Sequence, residues 1–134
     1  MTDTFQLEIV TPEKLVMKDV AEEMQIPGKN GYLGILPGHA PLITELAVGE
    51  ISYRNGASTH RLAVAWGFAE VLPDKVTILA EIAERAAEID VKRAAQAKER
   101  AEQRLKSGDP NVDFPRAQAA LQKAETRLEV AEKQ

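Results

Sequence analysis

The stretch Ile26 to Ile43, IPGKNGYLGILPGHAPLI, packs four glycines and Lys29 into a short span and raises the question of a phosphate loop. A phosphate loop of the Walker kind needs a lysine that follows the second glycine and is itself followed by Ser or Thr at the start of a helix. Here Lys29 precedes Gly31 and Gly34, no Ser or Thr follows it, and Pro37-Gly38 opposes helix initiation. The glycines read instead as bends and bulges at strand ends. Ser58-Thr59-His60 offers a hydroxyl and a base, but adjacent strand residues point to opposite faces and no Gly-x-Ser-x-Gly elbow is present. The paired carboxylates Glu22-Glu23 read as a polar strand patch. No residue is expected to be catalytic.

Composition narrows the field further. The 134-residue chain has no cysteine and two histidines, His39 and His60, so thiolate chemistry is excluded and no metal site is expected. MTDTFQLEIV lacks the basic start and apolar core of a signal peptide, and the longest apolar run, Leu62 to Ala69, is too short to span a bilayer. The formal net charge of −4 argues against nucleic acid as a partner. That charge is unevenly spread, with −6 over residues 1–89 and +2 over residues 90–134.

The elements change at the same point. From Thr4 to Ala80 apolar residues alternate: Phe5, Leu7 and Ile9; Val20, Met24 and Ile26; Leu62, Val64, Trp66 and Phe68. Thr11-Pro12, Asn55-Gly56 and Pro73-Asp74 punctuate the runs as turns. This predicts an all-β sandwich of two packed antiparallel sheets over residues 1–86. Beyond it, Asp90 reads as an N-cap for a helix running to Lys106, and Ser107-Gly108-Asp109-Pro110 breaks that helix. A second helix starts near Asp113-Phe114-Pro115. Val91, Ala94, Ala97, Ala101 and Leu105 on the first helix face Phe114, Ala117, Leu121, Ala124, Leu128 and Ala131 on the second. Residues 87–134 are thus predicted to form an antiparallel two-helix hairpin. A seam made mostly of alanine buries little apolar surface, at about 25 cal/mol per Å², against a backbone ordering cost of about 1–2 kcal/mol per residue. Such a hairpin has to dock on the sandwich or on a partner, which is the profile of a mobile arm.

LGILPGHAPLI, GFAEVLPDKVTILAE and AERAAEIDVKRA together resemble the epsilon subunit of bacterial F-type ATP synthases, over essentially the whole chain. Trp66 departs from the pattern, since many members have glycine there, and it is expected to alter only a strand position. The resemblance implies a non-catalytic rotor subunit on the cytoplasmic face of the bacterial cell membrane, touching the membrane only through the complex. The sandwich would bind the gamma subunit and the c-ring. The arm would reach towards the alpha and beta catalytic subunits and block ATP hydrolysis, its basic charge suiting an acidic partner. The Lys29–Gly34 loop, with Lys29, Asn30, Gly31 and Tyr32, would lie at the ring end, and His39 would face gamma or serve its own sandwich.

The resemblance also implies a regulatory nucleotide. Ile89-Asp90-Val91-Lys92-Arg93-Ala94 matches an Ile/Leu-Asp-x-x-Arg-Ala motif through which some epsilon subunits bind ATP on the folded arm. Asp90 would accept from the adenine amino group and Arg93 would neutralise phosphate, with Ile89 and Ala94 completing the motif. Arg100 and Arg104 follow on the same helix, and Lys123 and Arg127 would converge from the second. The competing readings are a helix cap with a solvated charged face and, for the whole chain, a free-standing ATP-sensing module without a synthase partner. No other cofactor is required.

Overall fold

The computed structural model describes residues 3–133. Eight strands precede two helices: β1 (Phe5–Val10), β2 (Leu15–Ala21), β3 (Glu23–Gly28), β4 (Gly31–Ile35), β5 (Leu42–Leu46), β6 (Gly49–Asn55), β7 (Ser58–Val71) and β8 (Lys75–Arg85). A 3-10 turn (Ala86–Glu88) then leads into α1 (Val91–Lys106) and α2 (Phe114–Glu132). The strands form one hydrogen-bonded path, β2-β1-β8-β7-β5-β3-β4, and β6 closes it by pairing with both β3 and β7. Closure wraps the sheet into two layers around one core, where Leu7, Ile9, Ile26, Ile51, Leu62, Val71 and Ile78 are essentially inaccessible to water. One pairing departs from the all-antiparallel expectation. β1 runs parallel to β8, Gln6 opposite Lys75 through Val10 opposite Leu79, because the first and last strands of the domain meet side by side.

The turns form where the turn residues stand. Gly56-Ala57, one residue on from the predicted Asn55-Gly56, closes the β6–β7 hairpin with Gly56 at φ 64 and Asn55 paired with Ser58. Glu22 fastens this turn by accepting from the Gly56 N–H at 2.7 Å while its other oxygen takes an Arg54 N–H at 2.6 Å. These bonds, the Gly56 amide first, hold the Glu22 carboxyl below the usual carboxylate range. In the opening glycine stretch, Gly31, at φ 130, pairs with Gly28 across the two-residue Lys29-Asn30 turn of the β3–β4 hairpin.

Strict alternation fails at two places, each for a physical reason. Val20 is 42% exposed and Ala21 is the buried neighbour, because the bend at Glu22 between β2 and β3 changes the parity before Met24 and Ile26. The second break is larger. Leu62 and Val64 face the main core, but Phe68 is 54% exposed and Ala69 and Val71 take the inward positions. The change occurs at Trp66-Gly67, where the backbone takes φ 56 and φ 119 with no residue inserted, since Ala65–Ile82 and Gly67–Ala80 stay in one register. β8 turns over opposite it: Ala80 pairs with Gly67 and lies in the core, whereas Ile82 pairs with Ala65. A non-glycine residue held at positive φ costs about 1–3 kcal/mol, so Trp66 is more than an ordinary strand position.

Asp90 and Asp113 cap α1 and α2, accepting from the Arg93 and Arg116 N–H groups at 3.0 and 3.1 Å. The interhelix seam is largely alanine, with Ala94, Ala101, Ala117 and Ala124 buried. Val91 and Phe114, expected at its two ends, are instead 51% and 54% exposed, and the seam narrows towards its alanines.

A polar cluster pins β2 to the β6–β7 hairpin. Tyr53 donates to Asp19 at 2.8 Å, Asn55 donates to the other Asp19 oxygen at 3.2 Å, and the Val20 N–H adds a bond of 2.8 Å. Burial pushes the Asp19 carboxyl up, but these three bonds outweigh it and hold the group below its usual value. Burial and the bond to Asp19 push the Tyr53 phenol well above its ordinary range. A carboxylate with a depressed folded value contributes stability that is present above its unfolded value and lost as pH falls through the folded one. Sandwich stability is therefore expected to decline below about pH 4. Asp19→Asn is expected to cost about 1–2 kcal/mol at neutral pH and to flatten that acid limb, as read by urea unfolding at a series of pH values.

Candidate functional site

Two surfaces stand out once the strands are in register. The first is an apolar outer face on β5, β7 and β8. The positive-φ turn at Trp66-Gly67 brings Phe68 outward, directly opposite Leu79 on β8 and Glu45 on β5. Ile43, two residues from Glu45 on the same face of β5, is 69% exposed, and Leu79 is 51% exposed. An open cleft of roughly 410 Å³ runs beside them, bounded by Val10, Pro12, Phe68, Leu79 and Glu81. Large apolar side chains clustered this way on a sheet face form an exposed apolar patch. Alternation taken across the whole of β7 assigned Phe68 to the same face as Leu62, and it missed this surface. The available signal was Gly67, where strand residues on either side cease to share a face.

The second surface is the seat of the arm. Ile89 and Val130 pack against Ala63 of β7, with Ala86 and Ala131 alongside. Around this small apolar patch stand charged contacts. Arg127 of α2 bonds Glu84 of β8. Lys133 reaches Glu50 at 3.3 Å, and Arg61 donates to the Lys133 carbonyl at 3.4 Å. Lys123 lies 4.9 Å from the centre of the Trp66 ring. The arm is folded down, as an alanine seam requires of a hairpin without another support. Val130, which lies outside the stripe predicted to face α1, is fully buried and carries the docking, with Ala131 of that stripe packed beside it.

Of the residues singled out for a nucleotide, Ile89, Asp90, Arg93 and Ala94 lie together at the start of α1. Ile89 and Ala94 are buried in the two seams, and the Asp90 carboxylate is engaged by the Arg93 N–H. Arg93 is exposed, and Arg100 lines a shallow groove with Arg104, Ser107 and Asp109 near the interhelix loop. Lys123 and Arg127 face the sandwich, through Trp66 and Glu84.

The sandwich-side residues also have partners of their own. Lys29 and Asn30 are exposed at the β3–β4 turn, and the Lys29 ammonium pairs with Glu45 at 3.2 Å. Tyr32 leaves 59% of its surface exposed, yet its hydroxyl accepts from the Glu50 N–H at 2.9 Å across Gly49. His39 stands at the other end of β4, with Nδ1 2.7 Å from the Ala40 carbonyl. Gly38 beside it donates to Pro73, which ties this loop to the β7–β8 turn. His60 stacks on Tyr53 with ring centres 4.9 Å apart, and its neighbours Ser58 and Thr59 belong to the same hairpin edge.

The chain thus presents an exposed apolar sheet face and, elsewhere on the sandwich, a docked two-helix hairpin. Residues 4–86 match the beta-sandwich domain of the ATP synthase delta/epsilon chain, and residues 87–132 match its long alpha-helix domain. The chain belongs to the ATP synthase delta/epsilon family. It is 52% identical to the ATP synthase epsilon chain of Syntrophobacter fumaroxidans over 99% of both chains. It is 76% identical to that of Koribacter versatilis over 82% of this chain and 78% of the relative. Among solved structures, it is similar to a chain in the Euglena gracilis mitochondrial ATP synthase, from a cryo-EM structure that includes the c-ring. The TM-score is 0.83 at 26% identity, covering 98% of this chain and 83% of that one. A chain of the Tetrahymena thermophila central stalk and c-ring shares the fold, with a TM-score of 0.56 at 15% identity over 96% and 94% of the two chains. Among the described residues, no helix is long and apolar enough to cross a membrane.

Proposed function

We propose that this chain is the non-catalytic epsilon subunit of the central rotor stalk of a bacterial F-type ATP synthase, held at the cytoplasmic face of the cell membrane by the complex. The observation that carries this reading is the full-length relationship to epsilon chains together with an exposed apolar face on β5, β7 and β8. That face supplies the attachment surface for the gamma subunit, and the β3–β4 turn with Lys29, Asn30, Gly31 and Tyr32 supplies the c-ring end. His39, at the opposite end of β4, belongs to the gamma side. Deleting residues 90–134 is expected to leave gamma binding intact, because the apolar face lies wholly on the sandwich. Co-purification with gamma tests this. A folded truncated protein that fails to bind would refute the division of labour, and a full chain that never binds gamma would favour a free-standing sensor.

The arm is the regulatory part. In its docked position it is withdrawn from the catalytic subunits, and in an extended position its basic face meets them and inhibits hydrolysis. ATP binding at Ile89, Asp90, Arg93 and Ala94, assisted by Arg100, Lys123 and Arg127, would favour the docked form only by differential affinity. Lys123 and Arg127 are already committed to Trp66 and Glu84. A nucleotide phosphate therefore has to draw them off, and the gain on binding is correspondingly reduced. Calorimetric titration of the full chain with ATP is expected to show saturable binding that Arg93→Ala abolishes. Absence of binding to either protein would reduce the motif to a helix cap.

A further inference from the structure

Trp66 is the chain's only tryptophan, and it occupies a backbone conformation, φ 56, that a bulky residue rarely adopts. A strained residue persists where its surroundings over-determine it, and such residues concentrate at clamps and switches. Trp66 does not lie in the main core, and its surface is only partly covered. What its ring meets is the ammonium of Lys123, from the middle of α2, 4.9 Å from the ring centroid. Lys123 is itself partly buried, and among the described residues its ammonium makes no ion pair with a carboxylate.

The position of this contact matters. The other supports of α2, Arg127 on Glu84, Val130 in the apolar seat and Lys133 on Glu50, all lie nearer its C-terminus. Without Lys123, α2 would be fastened to the sandwich over its last turns only, and the half of the hairpin that carries the interhelix loop would be free to lift from it as a unit. We propose that Trp66 is a latch for the arm: its strained backbone presents an aromatic face on which Lys123 locks the middle of α2, and this contact sets the fraction of time the arm spends docked. A cation over an indole face is the strongest of the aromatic platforms and tolerates sliding, which suits a contact that must close and reopen.

Amide hydrogen exchange on the full chain tests this, with α2 and the sandwich strands followed separately. Lys123→Met keeps the alkyl stem and removes the charge, and it is expected to speed exchange in α2 about two- to fivefold while the strands are unchanged. Trp66→Gly removes the platform and relieves the backbone, so α2 is expected to loosen by the same factor while the strands stay as protected or become more so. The double variant is expected to match either single one. Unchanged α2 exchange in Lys123→Met would overturn the latch, as would fully multiplicative effects in the double variant. Faster exchange throughout the sandwich in Trp66→Gly would make Trp66 a packing residue and overturn it too.

Discussion

Gly67→Ala is expected to leave little folded protein. A methyl group at this position would stand 1.9 Å from the Leu79 carbonyl oxygen and 2.9 Å from the Ala80 Cα, both backbone atoms of the adjacent strand. Neither can give way cheaply, because β8 is held against β7 from Val76 to Arg85 on either side of the contact. The residue also has φ 119, a region that glycine enters freely and alanine does not. Steric overlap and backbone strain act together, and a loss of roughly 4 kcal/mol or more follows, against a total stability of about 5–15 kcal/mol for an ordinary domain. The consequence is wider than stability, since the same backbone turn brings Phe68 to the outer face and Val71 to the core. Urea unfolding of the residual soluble protein measures the effect, and a midpoint within error of wild type would show that this turn of the backbone is less constrained than its contacts imply.

Val130→Asp is expected to release the arm while sparing the sandwich. Val130 is completely buried between α2 and the sandwich, beside Ala63 and Ile89. A carboxylate there loses the apolar contact of about 1.5–3 kcal/mol and adds the penalty of an unpaired buried charge. The docked seat is small and alanine-rich, so this exceeds what the remaining contacts of Arg127, Lys123 and Lys133 can offset. The sandwich core does not include Val130, and its unfolding midpoint is expected to stay within about 0.5 kcal/mol of wild type. Hydrogen exchange through α2 should rise by more than tenfold, with β1 to β8 unchanged. An arm that remains protected would show that docking rests on the ion pairs and not on the apolar seat.

Much of this architecture is legible in local chemistry. Asp90 and Asp113 announce two helix starts, Ser107-Gly108-Asp109-Pro110 announces the break between them, and Asn55-Gly56 announces a hairpin. Each signal acts through its own backbone neighbours and needs no tertiary partner to be effective. What escaped is what depends on distant strands. The outer face of Phe68 and Leu79 follows from the positive-φ pair Trp66-Gly67, whose effect on parity cannot be read from alternation, and the parallel β1–β8 pair follows from closure of the whole sheet. Val130 escaped as the docking residue because α2 packs against two neighbours at once, and the single stripe that ends at Ala131 describes only the face towards α1. The cations Lys123 and Arg127 illustrate the same limit: their spacing is visible, but their partners Trp66 and Glu84 lie on strands far away in sequence.

The central claim is that the sandwich attaches and the arm regulates. The most direct test is ATP hydrolysis by a synthase complex reconstituted with the full chain, with Val130→Asp, and with a chain lacking residues 90–134. All three are expected to assemble. Hydrolysis should be lowest with Val130→Asp, whose arm is free to extend, and highest with the truncated chain, with the full chain between them. Equal hydrolysis in all three assembled complexes would contradict the account, leaving the arm without a part in regulation.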